Sequence, residues 1–263
     1  VKPVVLLTND DGCHAAGLLA LREALAAIAR VVTVAPASEM SGVSHAITLS
    51  RQLTVEDLDV DLHSVDGTPT DCVNVAIHHV LGEVPAVVVS GCNHGANLGD
   101  DVAYSGTVGA AKEGASLGLP AIAVSQARAN PHSDFRAAAD LTVSLVAALL
   151  RGEVRLQRGT FLNLNLPEGE VKGVSLTRLA RRTYRDSVKM VAEETGRRFV
   201  WVGGRPEWES MPGTDHHAVI ALRHASLSLL GSDLSLAVPP GSPDVLPLCA
   251  AMSATLSSRR GPS

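Results

Sequence analysis

Two aspartates stand side by side in Thr8-Asn9-Asp10-Asp11-Gly12, directly after an apolar run at residues 4–7. Successive residues of a strand point to opposite faces, so Asp10 and Asp11 serve one site only if the chain turns there. Gly12 supplies that turn. Two carboxylates held close together repel, and at least one pKa rises unless a cation neutralises them. A hard divalent ion with oxygen ligands does this. Taken alone, the stretch also fits an Asx-type turn with solvated side chains.

Two further stretches follow strands in the same way. Residues 90–114 read SGCNHGANLGDDVAYSGTVGAAKEG. Gly91, Gly95 and Gly99 make a flexible loop, Asn93 and Asn97 add neutral amide ligands, and a helix starts at about Ser105. Free N–H groups of Gly106, Thr107 and Val108, with the hydroxyls of Ser105 and Thr107, are expected to form an anion site at the helix start. The alternative is a tight loop with a capped helix. Neither G-x-x-x-x-G-K-[ST] nor G-x-G-x-x-G is present, so the known nucleotide fingerprints do not apply. Residues 36–48, PASEMSGVSHAIT, offer the hydroxyl of Ser41 and the backbone N–H of Gly42 to the same site. Ser44-His45 invites a serine-hydrolase reading, but GVSHA is not G-x-S-x-G and does not join a strand to a helix, which argues against it.

Other polar clusters read as ordinary structure. The spaced aspartates of 57–67 lack the glycine and final glutamate of an EF-hand loop and fit a solvated strand or hairpin. His78-His79 and His216-His217 lack the i, i+4 spacing of a helical zinc site.

The elements that must position these residues alternate. Strands are expected at 4–7, 31–34, 86–89 and 121–124, and helices at 17–29, 68–81 and 135–150, with a hairpin-like stretch at 46–55. Thr68 is the expected N-cap, Pro69 the first helical residue, and Asp71 sits in the first turn. Such alternation predicts an α/β fold: a Rossmann-like, mostly parallel sheet with helices on both faces, whose ligands bind at the carboxyl ends of the strands. After residue 167 the texture becomes β-rich, with strands at 171–177, 187–193 and 198–202 and a turn at 194–196. The expected division is a catalytic α/β core at 1–167 and a β-rich extension with a C-terminal segment at 168–263, together one functional unit. Residues 239–244 read as a loop and 257–263 as a disordered end.

Composition narrows the function classes. The 263 residues are 46% hydrophobic, enough for one large domain or two small ones. A formal net charge of -5 argues against a broad nucleic-acid or anionic-membrane surface, though not against a local anion site. Aromatics at 3% disfavour base-stacking platforms for single strands. No run approaches a membrane span, and no signal peptide is expected. Cys13, Cys72, Cys92 and Cys249 form no C-x-x-C and read as reduced thiols of a cytoplasmic protein.

TNDDG, ASEMSG, DGTPTDC and the whole of 90–114 occur in that order. In this combination the sequence resembles the SurE family of bacteria and archaea, the stationary-phase survival proteins and nucleotidases. The likeness is strong over residues 3–126 and looser beyond. It implies a metal-dependent phosphatase acting on nucleoside 5'-monophosphates, and a homodimer or homotetramer with exchanged C-terminal elements. It places the metal ligands on Asp10, Asp11, Ser41 and Asn93, and phosphate or substrate binding on Gly42, Asn97, Ser105, Gly106 and Thr107. One departure is Ser44, where the family often has glycine before the histidine.

The residues agree with those implications. Two aspartates and two neutral oxygen ligands suit one Mg2+, Mn2+ or Ca2+ per subunit, with room for water and a phosphate oxygen. Such an ion polarises the phosphoryl group and lowers the pKa of bound water. Attack by water and direct attack by Asp10 or Asp11 both stay open. The rival functions are a broader phosphomonoesterase, also cleaving 3'-nucleotides or short polyphosphate, and a nucleotide sensor that does not hydrolyse. The bare carboxylate pair disfavours the sensor.

Overall fold

The computed structural model describes residues 2–127, 134–185 and 188–234. Cys249 and the expected loop and tail at 239–244 and 257–263 lie outside the described residues. The first part of the chain runs β1 (Val4–Thr8), α1 (Ala16–Leu25), β2 (Arg30–Pro36), β3 (Val55–Asp59), β4 (Leu62–Val65) and α2 (Pro69–Val75). A π-helical turn, Ala76–Val80, extends α2. Then come β5 (Val87–His94), a 3-10 turn (Gly99–Ala103), α3 (Gly106–Ser116), β6 (Ala121–Gln126), α4 (Arg136–Leu150) and β7 (Thr160–Leu166). The remainder is β8 (Gly173–Thr177), β9 (Arg181–Arg185), β10 (Val188–Glu194), β11 (Arg197–Val202), β12 (Arg205–Glu209), a π-helical turn (His217–Leu222) and β13 (His224–Gly231).

Nine strands form one sheet in the order β3-β4-β2-β1-β5-β6-β7-β13-β8. Its centre, β4-β2-β1-β5-β6-β7, is parallel, as expected from the strand–helix alternation. Two antiparallel pairings, β3 with β4 and β7 with β13, make it mixed. β1 lies near the middle and is buried along its whole length. Its side chains alternate between two apolar layers. Val5 and Leu7 join Leu18, Leu21 and Leu25 of α1 on one face. Val4 and Leu6 join Val73 of α2 and Val108 and Ala111 of α3 on the other. A strand buried on both faces has no polar alternation, which is why residues 4–7 read as a continuous apolar run.

The start of α2 is as its sequence predicts. Thr68 accepts a hydrogen bond from the Asp71 amide at 3.1 Å, and Asp71 accepts one from the Thr68 amide at 2.9 Å, a reciprocal capping box. Asp71 also accepts from the amide and hydroxyl of Thr48, at 2.9 and 2.7 Å. These bonds explain a correction. The hairpin expected at 46–55 does not form, whereas the strand or hairpin expected at 57–67 does, as β3 paired with β4. The backbone before it is held by side chains: Thr48 by Asp71, and the Thr54 amide by Asp66 at 2.6 Å.

The sheet also runs past residue 167. β13 pairs with β7 on one side and β8 on the other, so these late strands complete the main sheet. No strand was expected at β7, where Asn163 and Asn165 interrupt an apolar run. In the structure both are fully buried within the strand. β10–β11 and β12–β9 form separate two-stranded pairs.

Two predictions follow from this packing. A Cβ at Gly17 would lie 2.1 Å from the carbonyl oxygen of Cys92, so α1 rests on β5 only because residue 17 has no side chain. Gly17→Ala is expected to cost about 1–3 kcal/mol by forced displacement. Ser144→Ala, on the exposed face of α4, should stay within about 0.5 kcal/mol; thermal melts of the pair decide. The second concerns Asp71. Burial works to raise its pKa, but the Thr48 and Thr68 hydrogen bonds outweigh burial and hold it below the usual value. A depressed carboxylate contributes stability above its unfolded pKa and loses it as pH falls through the folded one. Asp71→Asn should therefore be less stable than wild type at pH 7, with the gap closing below about pH 4 in denaturant titrations.

Candidate active site

The carboxyl ends of β1, β2 and β5 converge, and with them the three stretches singled out in sequence. Asp10 and Asp11 follow β1, the Ser41 loop follows β2, and Asn93 is near the end of β5. The amide of Met40 donates to the Asp10 carbonyl at 2.7 Å, which ties the Ser41 loop to the aspartate turn. The amide of His94 donates to the Asp11 carboxylate at 3.0 Å, which ties β5 to the same turn. A cavity of about 540 Å³ opens here, lined by Asp11, Glu39, Ser41, Asn93, His94 and Phe135.

The two aspartates differ sharply. Asp11 faces the cavity, whereas Asp10 is 3% exposed. Burial pushes the Asp10 carboxyl up to about 6, with the Asp11 charge adding to the rise and the Thr107 hydroxyl and amide opposing it. The Thr107 amide donates to Oδ2 of Asp10 at 3.1 Å, and its hydroxyl donates to Oδ1. The N-terminal end of α3 thus meets an anion, and that anion is the protein's own carboxylate.

The Thr107 and Val108 donors expected to form a cradle have partners within the protein. Amide and hydroxyl carry one hydrogen each, and both of Thr107's go to Asp10. The Val108 amide is capped by the Ser105 hydroxyl at 3.1 Å. Thr107 and Val108 therefore hold no free donors for a bound anion in this structure, and Ser105 acts as the N-cap of α3. Gly106 permits the close approach: a Cβ there would sit 3.0 Å from both Cβ and Oδ2 of Asp10. Asn97 is likewise committed. Its side chain donates to Ser125 at 2.9 Å, its amide donates to Asn165 at 2.7 Å, and its carbonyl accepts from Asn163 and Asn165 at 3.1 Å. Gly42 is exposed in the left-handed region, φ +75°, with open space around its Cα.

The donor set fits a hard cation. Ser41 donates its proton to Glu39 at 2.9 Å, and Asn93 donates through Nδ2 to the Gly95 carbonyl at 2.7 Å. The oxygen lone pairs of Ser41 and the Oδ1 of Asn93 are the parts left to coordinate. The Oδ1 of Asn9 is buried with no hydrogen-bond partner among the described residues. No group of three His, Cys, Asp or Glu suited to a metal occurs among the described residues. Sequence reasoning missed Glu39, Ser125, Asn163 and Asn165. The only trace of the last two was the polar interruption of an apolar run, FLNLNL.

Comparison with known proteins follows the same lines. The family model for survival protein SurE matches residues 5–186. The 5'-nucleotidase SurE of Geobacter sulfurreducens is 45% identical over 253 residues, covering 89% of this chain and 95% of that protein. The 5'-nucleotidase SurE of Methylococcus capsulatus is 45% identical over 219 residues, covering 82% and 86%. The crystal structure of the Aquifex aeolicus SurE protein superposes with a TM-score of 0.79 at 35% identity, covering 95% of this chain and all of that one. The sequence matches span the converging loops as well as the sheet behind them, and on that ground the chain belongs to the survival protein SurE family.

Proposed function

We propose that the chain is a divalent-metal-dependent phosphatase that hydrolyses nucleoside 5'-monophosphates to nucleoside and phosphate. The observation that carries this reading is the convergence of Asp11, Ser41 and Asn93 on one cavity, with Asp10 directly behind them. The names of its relatives in Geobacter sulfurreducens and Methylococcus capsulatus support the substrate class.

Asp10, Asp11, Ser41 and Asn93 would hold one Mg2+, Mn2+ or Ca2+ ion, which when bound supplies Lewis-acid polarisation of the phosphoryl group. A carboxyl raised to about 6 by burial beside a second carboxylate is the kind of group that a divalent cation stabilises in its ionised form. Thr107 orients Asp10 through both of its donors. Phosphate binding by Gly42, Asn97, Ser105, Gly106 and Thr107 belongs to this reading through the family likeness, and it requires Asn97 and Thr107 to exchange the partners they hold here for the phosphate oxygens. If a carboxylate rather than water attacks phosphorus, Asp11 is the better placed, since it lines the cavity while Asp10 is 3% exposed.

A cytoplasmic enzyme with reduced thiols fits Cys13, Cys72 and Cys92, which are free and buried. No helix among the described residues is long and apolar enough to cross a membrane. Assembly into a homodimer or homotetramer is supported by the β10–β11 hairpin. There Met190 is 60% exposed, Trp201 71% and Val202 81%, an apolar surface of the kind that marks protein contacts.

The central test is phosphate release from AMP by chelator-treated protein, before and after Mn2+ is restored, with 3'-AMP in parallel. Asp10→Asn and Asp11→Asn should each lose at least about a hundredfold in kcat/KM while folding normally by circular dichroism. Near wild-type turnover in both, with Mn2+ present, would overturn the metal assignment. For assembly, light scattering of Phe199→Ser/Trp201→Ser is expected to give a smaller particle than wild type. An unchanged mass would show that the hairpin is not the interface.

A further inference from the structure

The loop that carries Ser41 has no regular helix or strand between residues 37 and 54, yet it is held at both ends. Before Ser41 it is tied by Met40 to Asp10. After Gly42 it lies on α3 and the turn before it. The Ser44 amide donates to the Tyr104 carbonyl at 2.9 Å, and the Ser44 hydroxyl donates to the Ala103 carbonyl at 2.7 Å. One residue on, Nε2 of His45 meets Oε2 of Glu113 at 2.7 Å, with the two side chains only 30% and 16% exposed. The other Glu113 oxygen accepts from Asn74 of α2 at 2.9 Å. The His45 ring beside Glu113 holds its carboxyl below the usual range.

We propose that Glu113 and His45 are positioning residues, a latch that sets the Ser41–Gly42 segment over the Asp10–Asp11 pair. The inference rests on the metal-phosphatase reading above. Its geometric basis is that one rigid helix grips both halves of the site. Thr107 in the first turn of α3 holds Asp10, and Glu113, about 9 Å along the axis, holds the Ser41 loop. A helix fixes that separation, whereas the loop alone would have to order itself when a cation binds, at an entropic cost. An exposed ion pair would contribute little. This one is shielded, anchors irregular chain, and has its carboxylate bonded from both sides. With Nε2 engaged by Glu113, His45 serves the loop and not the leaving group.

The test uses full-length protein stripped of metal. Mn2+ affinity is read by calorimetry, and kcat and KM on AMP and p-nitrophenyl phosphate are read at saturating Mn2+. His45→Ala and Glu113→Ala should each weaken Mn2+ binding about 10- to 100-fold, the range for groups that orient metal ligands. Their double variant should be no worse than about threefold beyond the weaker single, because both remove one contact. At saturating Mn2+, kcat on AMP should stay within about threefold of wild type, and Glu113→Gln, whose amide can still hydrogen-bond to the His45 ring, should recover most of the affinity. Should Glu113→Ala fail to melt cooperatively, His45→Ala alone decides. Unchanged Mn2+ affinity in the folded variants overturns the latch. So does a kcat loss in His45→Ala that is large on AMP but absent on p-nitrophenyl phosphate, whose leaving group needs no proton; that result would make His45 the acid. If wild type itself neither binds Mn2+ nor releases phosphate, the function reading falls and the latch with it. If wild type does both, only the latch is at stake.

Discussion

Everything at this site depends on how Asp10 is kept ionisable at the end of a buried strand. A carboxylate that is 3% exposed beside another carboxylate is costly to hold charged. The protein offsets part of that cost with the first turn of α3, through the Thr107 amide and hydroxyl. That arrangement dictates its neighbours. Residue 106 must be small enough for the helix to reach Asp10. The helix must begin at Ser105, whose hydroxyl takes the Val108 amide. The strand behind, β1, must be central and buried so that its end is rigid.

A second constraint is the polar layer beneath. Asn97, Ser125, Asn163 and Asn165 sit between the active-site loop and the ends of β6 and β7, and all are buried. Each bond in that layer joins two different elements: Asn97 to β6 through Ser125, and Asn97 to β7 through Asn163 and Asn165. The Oδ1 of Asn163 has no hydrogen-bond partner among the described residues, and the bonds that are made favour one arrangement over its alternatives. The loop after β5 is irregular in backbone yet tightly determined.

The α/β core was largely readable because its signals are local. Continuous apolar runs mark strands buried on both faces, and Thr68-Pro69 with Asp71 marks a helix start. The aspartate pair and its companions were visible as chemistry placed at strand ends. What could not be read were partnerships between distant segments. Nothing in SGTVG shows that Thr107 gives both its hydrogens to Asp10, 97 positions earlier. Nothing near Asn163 and Asn165 in sequence shows that their partner is a carbonyl 66 and 68 residues away. The strand or hairpin expected at 57–67 is present as β3–β4, whereas none forms at 46–55 because side chains of Asp66 and Asp71 hold that backbone in place of a strand partner.

The pairing of β13 between β7 and β8 has a consequence in time. The chain leaves the ribosome in order, so β7 and β8 emerge well before the strand that must slot between them. From residue 177, the end of β8, to residue 231, the end of β13, synthesis at about 5–20 residues per second takes on the order of 3–10 s. For that interval the nascent sheet ends at β7, with a row of unpaired amides and carbonyls beside Phe161, Leu162 and Leu164. Such an edge is a template for foreign strands. The part of the molecule farthest along the sheet from the aspartates therefore sets the period in which a new chain is most exposed to misassembly.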